Sequence, residues 1–299
     1  MSSNSQTIVL STRKRSLAHR LRKVGIDTLL YIILGCIAIF CLFPIIYAFG
    51  GSFKPNIEFV LGGSKILPEV WRPQNYVDAW KLANFARYTW NSVFVSVFVV
   101  IGQILVSSLG GYALARFNFP GRKIVTAALI ATLFFAGGTI TIFPLFRIVK
   151  FLGIHRGLWA LIVVQVLRID VAKIFLFMGY MRGISREIDE AAIIDGCSPF
   201  RVYWQILMPL SVPIIATITL LAFKESWNSY LLPLVFTMSM PQLRTLTVGV
   251  VSLRYTHDGA AAWNIMLAGS AISLVPIILI YIVANRYFIR GITAGSVKG

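Results

Sequence analysis

The sequence Glu190-Ala191-Ala192-Ile193-Ile194-Asp195-Gly196 is a short stretch with charged residues near both ends, and Pro209 and Pro213 follow it at the head of an apolar run. Segments that are long and apolar enough to cross a membrane lie on both sides of it. A connection between two membrane spans needs no such organised segment unless another molecule docks there. The stretch therefore predicts a docking site placed between membrane-spanning helices.

The composition indicates that lipid covers part of the surface of this chain. Hydrophobic residues make up 57% of the 299 residues, and charged residues make up only 13%. A soluble fold of this length cannot bury so large an apolar fraction. The formal net charge of +17 is compatible with nucleic acid binding, but the basic residues separate apolar runs and form no single patch. The composition thus predicts an integral membrane protein and excludes nucleic acid as a partner.

Apolar windows predict six transmembrane helices. Five windows contain no Asp, Glu, Lys or Arg and reach the roughly 20 residues that a spanning helix needs; they are residues 28–49, 88–115, 124–146, 202–223 and 259–285. A weaker sixth window, residues 157–180, is interrupted by Arg168, Asp170 and Lys173. The predicted fold is an all-α polytopic membrane protein with both termini on the same side.

Lysine and arginine set the orientation in the membrane. Basic residues are densest before the first span, at Arg13, Lys14, Arg15, Arg20, Arg22 and Lys23. Because positive residues are retained on the inner side, residues 1–23 are predicted to be a basic cytoplasmic segment and residues 24–299 the transmembrane domain. Residues 181–205 and the tail, residues 286–299, are then also cytoplasmic.

Residues 181–205 have the signals of two short helices joined by a glycine turn. Ser185 can cap a helix whose first turn carries Glu187 and Asp189, which suits the positive end of the helix dipole. Gly196 ends that helix, and Ser198-Pro199 opens a second one. An ordinary amphipathic connector would explain these caps, but it would not explain the whole residue pattern.

That pattern resembles the EAA loop of ABC importer permeases, the site at which the transporter's own ATPase engages. The matching positions, in order and spacing, are Glu190-Ala191-Ala192, Asp195-Gly196, Ile206, Pro209 and Pro213, and Cys197 replaces the usual alanine. The stretches 227–230, 243–249 and 291–299 are similar to those of maltose-type sugar permeases. The resemblance extends from about residue 88 to the end of the chain.

The resemblance implies a type I ABC importer permease architecture with cytoplasmic EAA coupling helices, in the bacterial cytoplasmic (inner) membrane. Such a permease forms half of the translocation pathway for a sugar or oligosaccharide. Its partners are a second related permease subunit, two ATPase subunits and an extracytoplasmic substrate-binding protein. The implied ATPase-coupling residues are Glu190, Ala191, Ala192, Asp195, Gly196 and Pro209. The implied tail contacts to the ATPase are Thr293, Ala294, Gly295 and Lys298.

The sequence predicts no catalytic or metal site on this chain. It contains no G-x-x-x-x-G-K-[ST] phosphate loop, so ATP and Mg²⁺ are expected on the partner ATPase and this chain is expected not to be an enzyme. The histidines, His19, His155 and His257, lack the spacing of metal ligands. The cysteines, Cys36, Cys41 and Cys197, are expected to be small apolar fillers.

Charged residues in the fourth window are the candidates for the substrate pathway. Asp170 and Lys173 are three residues apart and can pair on one helix face, whereas Arg168 points elsewhere. Charge at membrane depth is costly and faces protein or water, so these residues lie near a helix end, lock spans together or line the pathway. In a pathway, Arg168 favours an acidic substrate such as an alginate or other uronate oligosaccharide. Trp227, Asn228 and Tyr230 are further pathway candidates.

Two other functions remain open at the level of sequence. An ion-coupled secondary transporter would need no ATPase, but it often shows an internal repeat with broken helices, and no convincing repeat is visible. A membrane-anchored structural or assembly subunit would tolerate the loop at residues 181–205, but it would not need charges inside the fourth window. Both alternatives leave part of the residue pattern unexplained.

Overall fold

The computed structural model describes residues 4–61, 65–134, 138–154, 157–254 and 262–296; for residues 4–23, 139 and 284–296 it describes only the backbone. Throughout these residues the regular structure is helical, which confirms the predicted all-α class. The chain divides into two compact units, Met1–Arg72 and Pro73–Gly299.

The first unit is built on one long helix. Helix α1 runs from Asn4 to Ser52 and is followed by the short helix α2, Asn56–Val60. Its side chains are exposed from residue 24 to residue 46. The chain after α2 folds back over the end of α1, where Lys54 is buried, donates to the carbonyl of Lys65 and lies over the ring of Tyr47. The rest of the first unit therefore leaves the apolar length of α1 uncovered.

The second unit contains the other helices. Those before residue 184 are α3 (Gln74–Leu82), α4 (Phe85–Arg116), α5 (Arg122–Phe134), a 3₁₀ turn (Gly138–Thr141), α6 (Ile142–Phe151), α7 (Leu158–Leu167) and α8 (Val171–Gly183). Those after it are α9 (Glu187–Ile194), α10 (Pro199–Arg201), a π-helix (Val202–Leu207), α11 (Met208–Leu210), α12 (Val212–Asn228), α13 (Leu231–Thr237), a 3₁₀ turn (Pro241–Leu243), α14 (Leu246–Ser252) and α15 (Trp263–Ser296).

Helix α4 is the centre of this unit and packs against α7, α8 and α12. Its apolar residues Val95 and Val99 and its polar residues Ser96 and Gln103 are all buried. Gly111 permits the closest approach to α8, because a Cβ placed there would lie 2.9 Å from the backbone nitrogen of Met178. The polar residues are paired inside the unit; Gln103 Nε2, for example, donates to the carbonyl of Gln165 at 2.8 Å.

Three of the predicted windows are confirmed as single helices of spanning length. Among the described residues, the helices that are long and apolar enough to cross a membrane are Val24–Ser52, Phe85–Arg116 and Trp263–Val283. The window 157–180 is instead divided between α7 and α8, and the window 124–146 falls on α5, a 3₁₀ turn and α6. A count of six spans stays a prediction at this point.

The window 202–223 does not coincide with one straight helix. The segments Pro199–Leu210 and Val212–Asn228 are bent by 80° relative to each other. Ser211 lies at the bend, and Pro209 lies near the end of the segment before it. Pro213 occupies the first turn of α12, where its missing N–H costs no helical hydrogen bond. Residues 202–210 therefore continue the helical segment that begins at Pro199, and the long apolar helix begins at Val212.

Candidate functional site

Helix α9 has the ends that its sequence predicts. The backbone nitrogen of Glu187 donates to Ser185 Oγ at 3.3 Å, although the N-cap position itself is occupied by Arg186. At the other end Gly196 has φ = +82°, Gly196 N donates to Ile193 O at 3.0 Å, and Cys197 N donates to Ala192 O at 2.9 Å. These two hydrogen bonds form a Schellman motif, which needs a left-handed residue at the position of Gly196.

The second helical segment begins as predicted and ends at the bend. Ser198 Oγ accepts a hydrogen bond from Arg201 N at 3.3 Å, with Pro199 in the first turn. The π-helix that follows carries Tyr203, whose buried hydroxyl pairs with Ser108 Oγ of α4 at 2.7 Å. This pairing fixes the second segment to the central helix. We refer to residues 181–205 as the coupling loop.

The outward face of the coupling loop is more apolar than the sequence motif suggests. Glu190, Ala191, Asp195 and Gly196 are exposed, and so is Pro209 beyond the loop, but Ala192 is buried and packs toward α4 and α8. Ile193, which the sequence offered for packing, is exposed, and sequence reasoning missed four further exposed apolar side chains, which are Ile188, Ile194, Phe200 and Trp204. The sequence could have predicted this apolar face, because large apolar residues in a polar loop between membrane spans indicate a protein interface.

A charged pair holds α9 against the end of α4. Arg116 Nε lies 2.7 Å from Asp189 Oδ2, and Arg116 Nη2 donates to the carbonyl of Ile184 at 3.1 Å. Burial raises the pKa of the Asp189 carboxyl, and the guanidinium groups of Arg116 and Arg186 oppose that rise. Beside the pair lies a small groove of about 170 Å³ that Glu190 and Ile193 also line. The groove is open at the surface between α9 and the end of α4.

The charges of the fourth predicted window lie at the break between α7 and α8. Asp170 caps α8 by accepting a hydrogen bond from Ala172 N at 3.0 Å, and its Oδ2 lies 2.6 Å from Lys173 Nζ. This confirms the predicted pair. Lys173 Nζ also lies 2.5 Å from Oε2 of Glu225 on α12. Sequence reasoning missed Glu225 as a partner, because 52 residues separate it from Lys173.

Exposure differs sharply within this charged cluster. The Lys173 side chain is 1% exposed, whereas that of Glu225 is 58% exposed. Arg168 is exposed and makes no ion pair with the described residues. On α12, Lys224 and Asn228 are exposed next to Glu225. Lys173 is thus the buried centre of the cluster, and Arg168 and Glu225 form its exposed rim.

The remaining pathway candidates are placed differently. Trp227 is buried in the core, and its Nε1 donates to the carbonyl of Ser273 at 3.1 Å, so the structure gives it a packing role. Asn228 is exposed and Tyr230 is half-buried. Of these three candidates, Asn228 is the one with an exposed side chain.

Several predicted residues lie outside what the structure describes. These are His155, His257 and Lys298, together with the side chains of His19, Thr293 and Ala294; of Gly295 only the helical backbone is described. Among the described residues no group of three or more His, Cys, Asp or Glu side chains could hold a metal ion. Cys36 and Cys41 are exposed free thiols on α1, and Cys197 is a half-buried free thiol.

Comparison with known proteins gives matches over most of the chain. The family described as "Binding-protein-dependent transport system inner membrane component" matches residues 19–294. The probable ABC transporter permease protein YurM of Bacillus subtilis is 32% identical over 273 residues, which are 91% of this chain and 89% of the relative. The arabinooligosaccharides transport system permease protein AraQ of Halalkalibacterium halodurans is 32% identical over 267 residues, 88% of this chain and 93% of the relative.

A solved structure has the same fold. A chain of a bacterial ABC transporter involved in the import of the acidic polysaccharide alginate superposes with a TM-score of 0.72. It is 26% identical in sequence, and the match covers 89% of this chain and 97% of that one.

Proposed function

The chain belongs to the family of binding-protein-dependent transport system inner membrane components, and from this premise we propose that it is the permease subunit of an ATP-driven importer of a sugar or oligosaccharide. The observation that carries the proposal is the coupling loop, a capped and exposed helix–turn–helix between apolar helices. The loop offers a large apolar face, with Glu190 at its side, to another protein. The subunit forms half of a translocation pathway.

The energy comes from partner chains. We assign the binding of ATP and Mg²⁺ to two ATPase subunits, one of which docks on the coupling loop of this chain through Glu190, Ile193 and Ile194. The tail, through Thr293, Ala294, Gly295 and Lys298, reaches the same ATPase subunits. A second related permease subunit completes the pathway, and an extracytoplasmic substrate-binding protein delivers the sugar. This chain itself is not an enzyme.

Six spans and cytoplasmic termini fit the helix lengths. Helices α7 and α8 contain 10 and 13 residues and together reach about 35 Å, which is enough to cross the hydrocarbon core as one broken span. Helices α5 and α6 form another broken span in the same way. With α1, α4, α12 and α15 these make six. The coupling loop, between the fourth and fifth spans, then lies on the same side as both termini.

The exposed rim of the charged cluster is the proposed pathway surface. A charge at membrane depth must face water or protein, so Arg168 and Glu225 face the pathway or the second permease subunit, and not lipid. The guanidinium of Arg168 can form a bidentate pair of hydrogen bonds with a carboxylate. The fold shared with an importer of an acidic polysaccharide supports an acidic oligosaccharide as the substrate.

Reconstitution tests the proposed function. We expect the chain to co-purify from native membranes with an ATPase and a second permease subunit. In proteoliposomes that complex should take up an oligosaccharide only when ATP and the substrate-binding protein are both supplied. Uptake driven by an ion gradient without ATP would contradict the proposal, and so would isolation of the chain without any ATPase.

The substrate charge is tested at Arg168. Arg168→Gln keeps polarity and approximate size but removes the positive charge, so uptake of an acidic oligosaccharide should fall about fivefold while uptake of a neutral one changes less than twofold. The fall corresponds to about 1 kcal/mol, which is typical of one charge-assisted hydrogen bond in a hydrated site. The measurement is a pair of initial uptake rates in proteoliposomes.

The matched control for Arg168 is Arg147→Gln, which removes the same charge from an exposed arginine of α6. It should leave the ratio of acidic to neutral uptake unchanged. The affinity of the binding protein is measured separately, to exclude an upstream effect. An equal loss for both substrates in Arg168→Gln would assign Arg168 to holding helices together.

A further inference from the structure

A cavity of about 530 Å³ opens where α4 and α8 end and α5 begins. Four arginines line it, and they are Arg116, Arg122, Arg182 and Arg186. No acidic side chain lines it, although Asp189 approaches Arg116 from the neighbouring groove. We call this cavity the arginine pocket. Its position, at the cytoplasmic ends of three helices in the proposed topology, is the depth at which lipid headgroups lie.

The arginines of the pocket carry more hydrogen-bond donors than the protein acceptors around them can satisfy. Arg122 donates to Leu114 O at 2.5 Å and to Asn118 Oδ1 at 2.6 Å, and Arg116 is held by Ile184 O and Asp189. Arg186 Nη2 also donates to Ala115 O at 3.4 Å. Each guanidinium has five N–H groups, so these contacts use a minority of the donors of the four arginines. The side chain of Arg182 is exposed and makes no hydrogen bond or ion pair with the described part of the chain. The pocket therefore favours a multivalent oxyanion.

An apolar groove begins at the same arginines. This second cavity, of about 850 Å³, shares Arg122 and Arg182 with the arginine pocket and follows one side of α5. Ile124, Ala127 and Ile130 line it and are exposed. A soluble anion would fill the pocket but would leave this groove uncovered. The two cavities together match a molecule with an anionic head and a long apolar tail.

We propose that the arginine pocket binds the phosphate of an anionic phospholipid, whose acyl chains lie along the groove on α5. A guanidinium group forms bidentate hydrogen bonds with phosphate oxygens. Basic pockets between membrane helices at the cytoplasmic side bind anionic lipid headgroups. A zwitterionic lipid carries a cation that four arginines repel, so the site distinguishes phosphatidylglycerol from phosphatidylcholine.

The bound lipid also braces the coupling loop. Arg116 connects the arginine pocket to Asp189 of α9, and Arg186 is the N-cap residue of that helix. A phosphate on these arginines shields their mutual repulsion and holds the base of α9 in place. The inference rests on the membrane placement of the proposed function, but it does not depend on which sugar is carried.

The test uses the assembled complex purified in detergent, with native mass spectrometry to count retained lipid after titration with phosphatidylglycerol or phosphatidylcholine. We expect the wild type to retain phosphatidylglycerol with at least fivefold preference. Arg182→Gln should lower that retention about fivefold, because it removes the unpaired guanidinium. Ala127→Trp, which keeps the groove apolar but fills it, should lower retention of phosphatidylglycerol without removing any charge.

Arg201→Gln is the matched control, since Arg201 is an exposed arginine of the coupling loop that bonds Gln205 and does not line either cavity. It should retain phosphatidylglycerol as the wild type does. Equal retention of both lipids by the wild type would overturn the proposal, as would an equal loss in Arg201→Gln. Displacement of the lipid by millimolar glycerol phosphate would assign the pocket to a free phosphate. Each of these results leaves the uptake tests of the proposed function unaffected.

Discussion

Replacing Gly196 with valine is expected to lower the ATPase activity stimulated by the substrate-loaded binding protein about tenfold, while the protein still inserts and assembles. Gly196 has φ = +82° and closes the Schellman motif that joins the two helices of the coupling loop. A side chain in the left-handed region costs roughly 1–2 kcal/mol, and a β-branched one at least that much. A tenfold change corresponds to about 1.4 kcal/mol, so this strain is enough to displace the docking surface in most molecules.

The chain supplies a closely matched control in Gly153. It follows α6 with φ = +73°, and it closes the same motif, with Gly153 N donating to Lys150 O and Ile154 N to Val149 O. A Cβ at either glycine meets nothing within 4 Å, so both substitutions test backbone strain alone. Gly153→Val should leave stimulation within twofold of the wild type. Normal stimulation in a fully assembled Gly196→Val complex would show that the ATPase does not dock on this turn.

Replacing Lys173 with methionine is expected to destabilise the permease by about 2 kcal/mol. The ammonium is almost completely buried and lies 2.6 Å from Asp170 and 2.5 Å from Glu225. Methionine fills the space of the stem but leaves the two carboxylates facing each other without a cation. Loss of a fully buried partner costs 3–5 kcal/mol, and partial exposure of both carboxylates reduces that to about 2. Thermal denaturation of the solubilised complex should show an apparent Tm lower by roughly 5 °C.

A double-mutant cycle with Glu225→Gln separates charge from packing. Glu225→Gln alone should cost little, because its side chain is largely exposed and Lys173 keeps Asp170 as a partner. In the Lys173→Met background the same change should restore about half of the lost stability, since it removes one of the two repelling charges. If the double variant is no more stable than Lys173→Met, the lysine contributes through packing alone.

Local signals in the sequence were sufficient for the coupling loop. The hydroxyls of Ser185 and Ser198, the first-turn position of Pro199 and the left-handed Gly196 all act within a few residues of where they stand. Such helix ends depend on hydrogen bonds between residues a few positions apart, so the residue types at those positions are enough to predict them. The same locality explains why the pair Asp170–Lys173, three residues apart, was predicted and found.

Long-range placement was beyond the reach of the sequence. Ala192 was predicted to contact the ATPase, but its side chain is buried within this chain. Trp227 was predicted to line the substrate pathway, but it lies in the hydrophobic core. Glu225 joins Lys173 only because α8 and α12 both pack on α4. Charge-free windows measure apolar length and carry no information on where a helix bends, so the 80° turn at Ser211 was not predicted.

Composition and local capping signals were enough to predict a helical membrane protein with a capped helix–turn–helix between apolar helices, because both act without tertiary contacts. Which faces of those helices stay exposed became known only from the packing. In the folded chain, Glu225 pairs with Lys173, and Ile193 and Ile194 are exposed. One cavity is lined by four arginines, which are Arg116, Arg122, Arg182 and Arg186. The physical reason is that each of these arrangements depends on packing between helices that are distant in sequence, and helical periodicity specifies a buried face without specifying its partner.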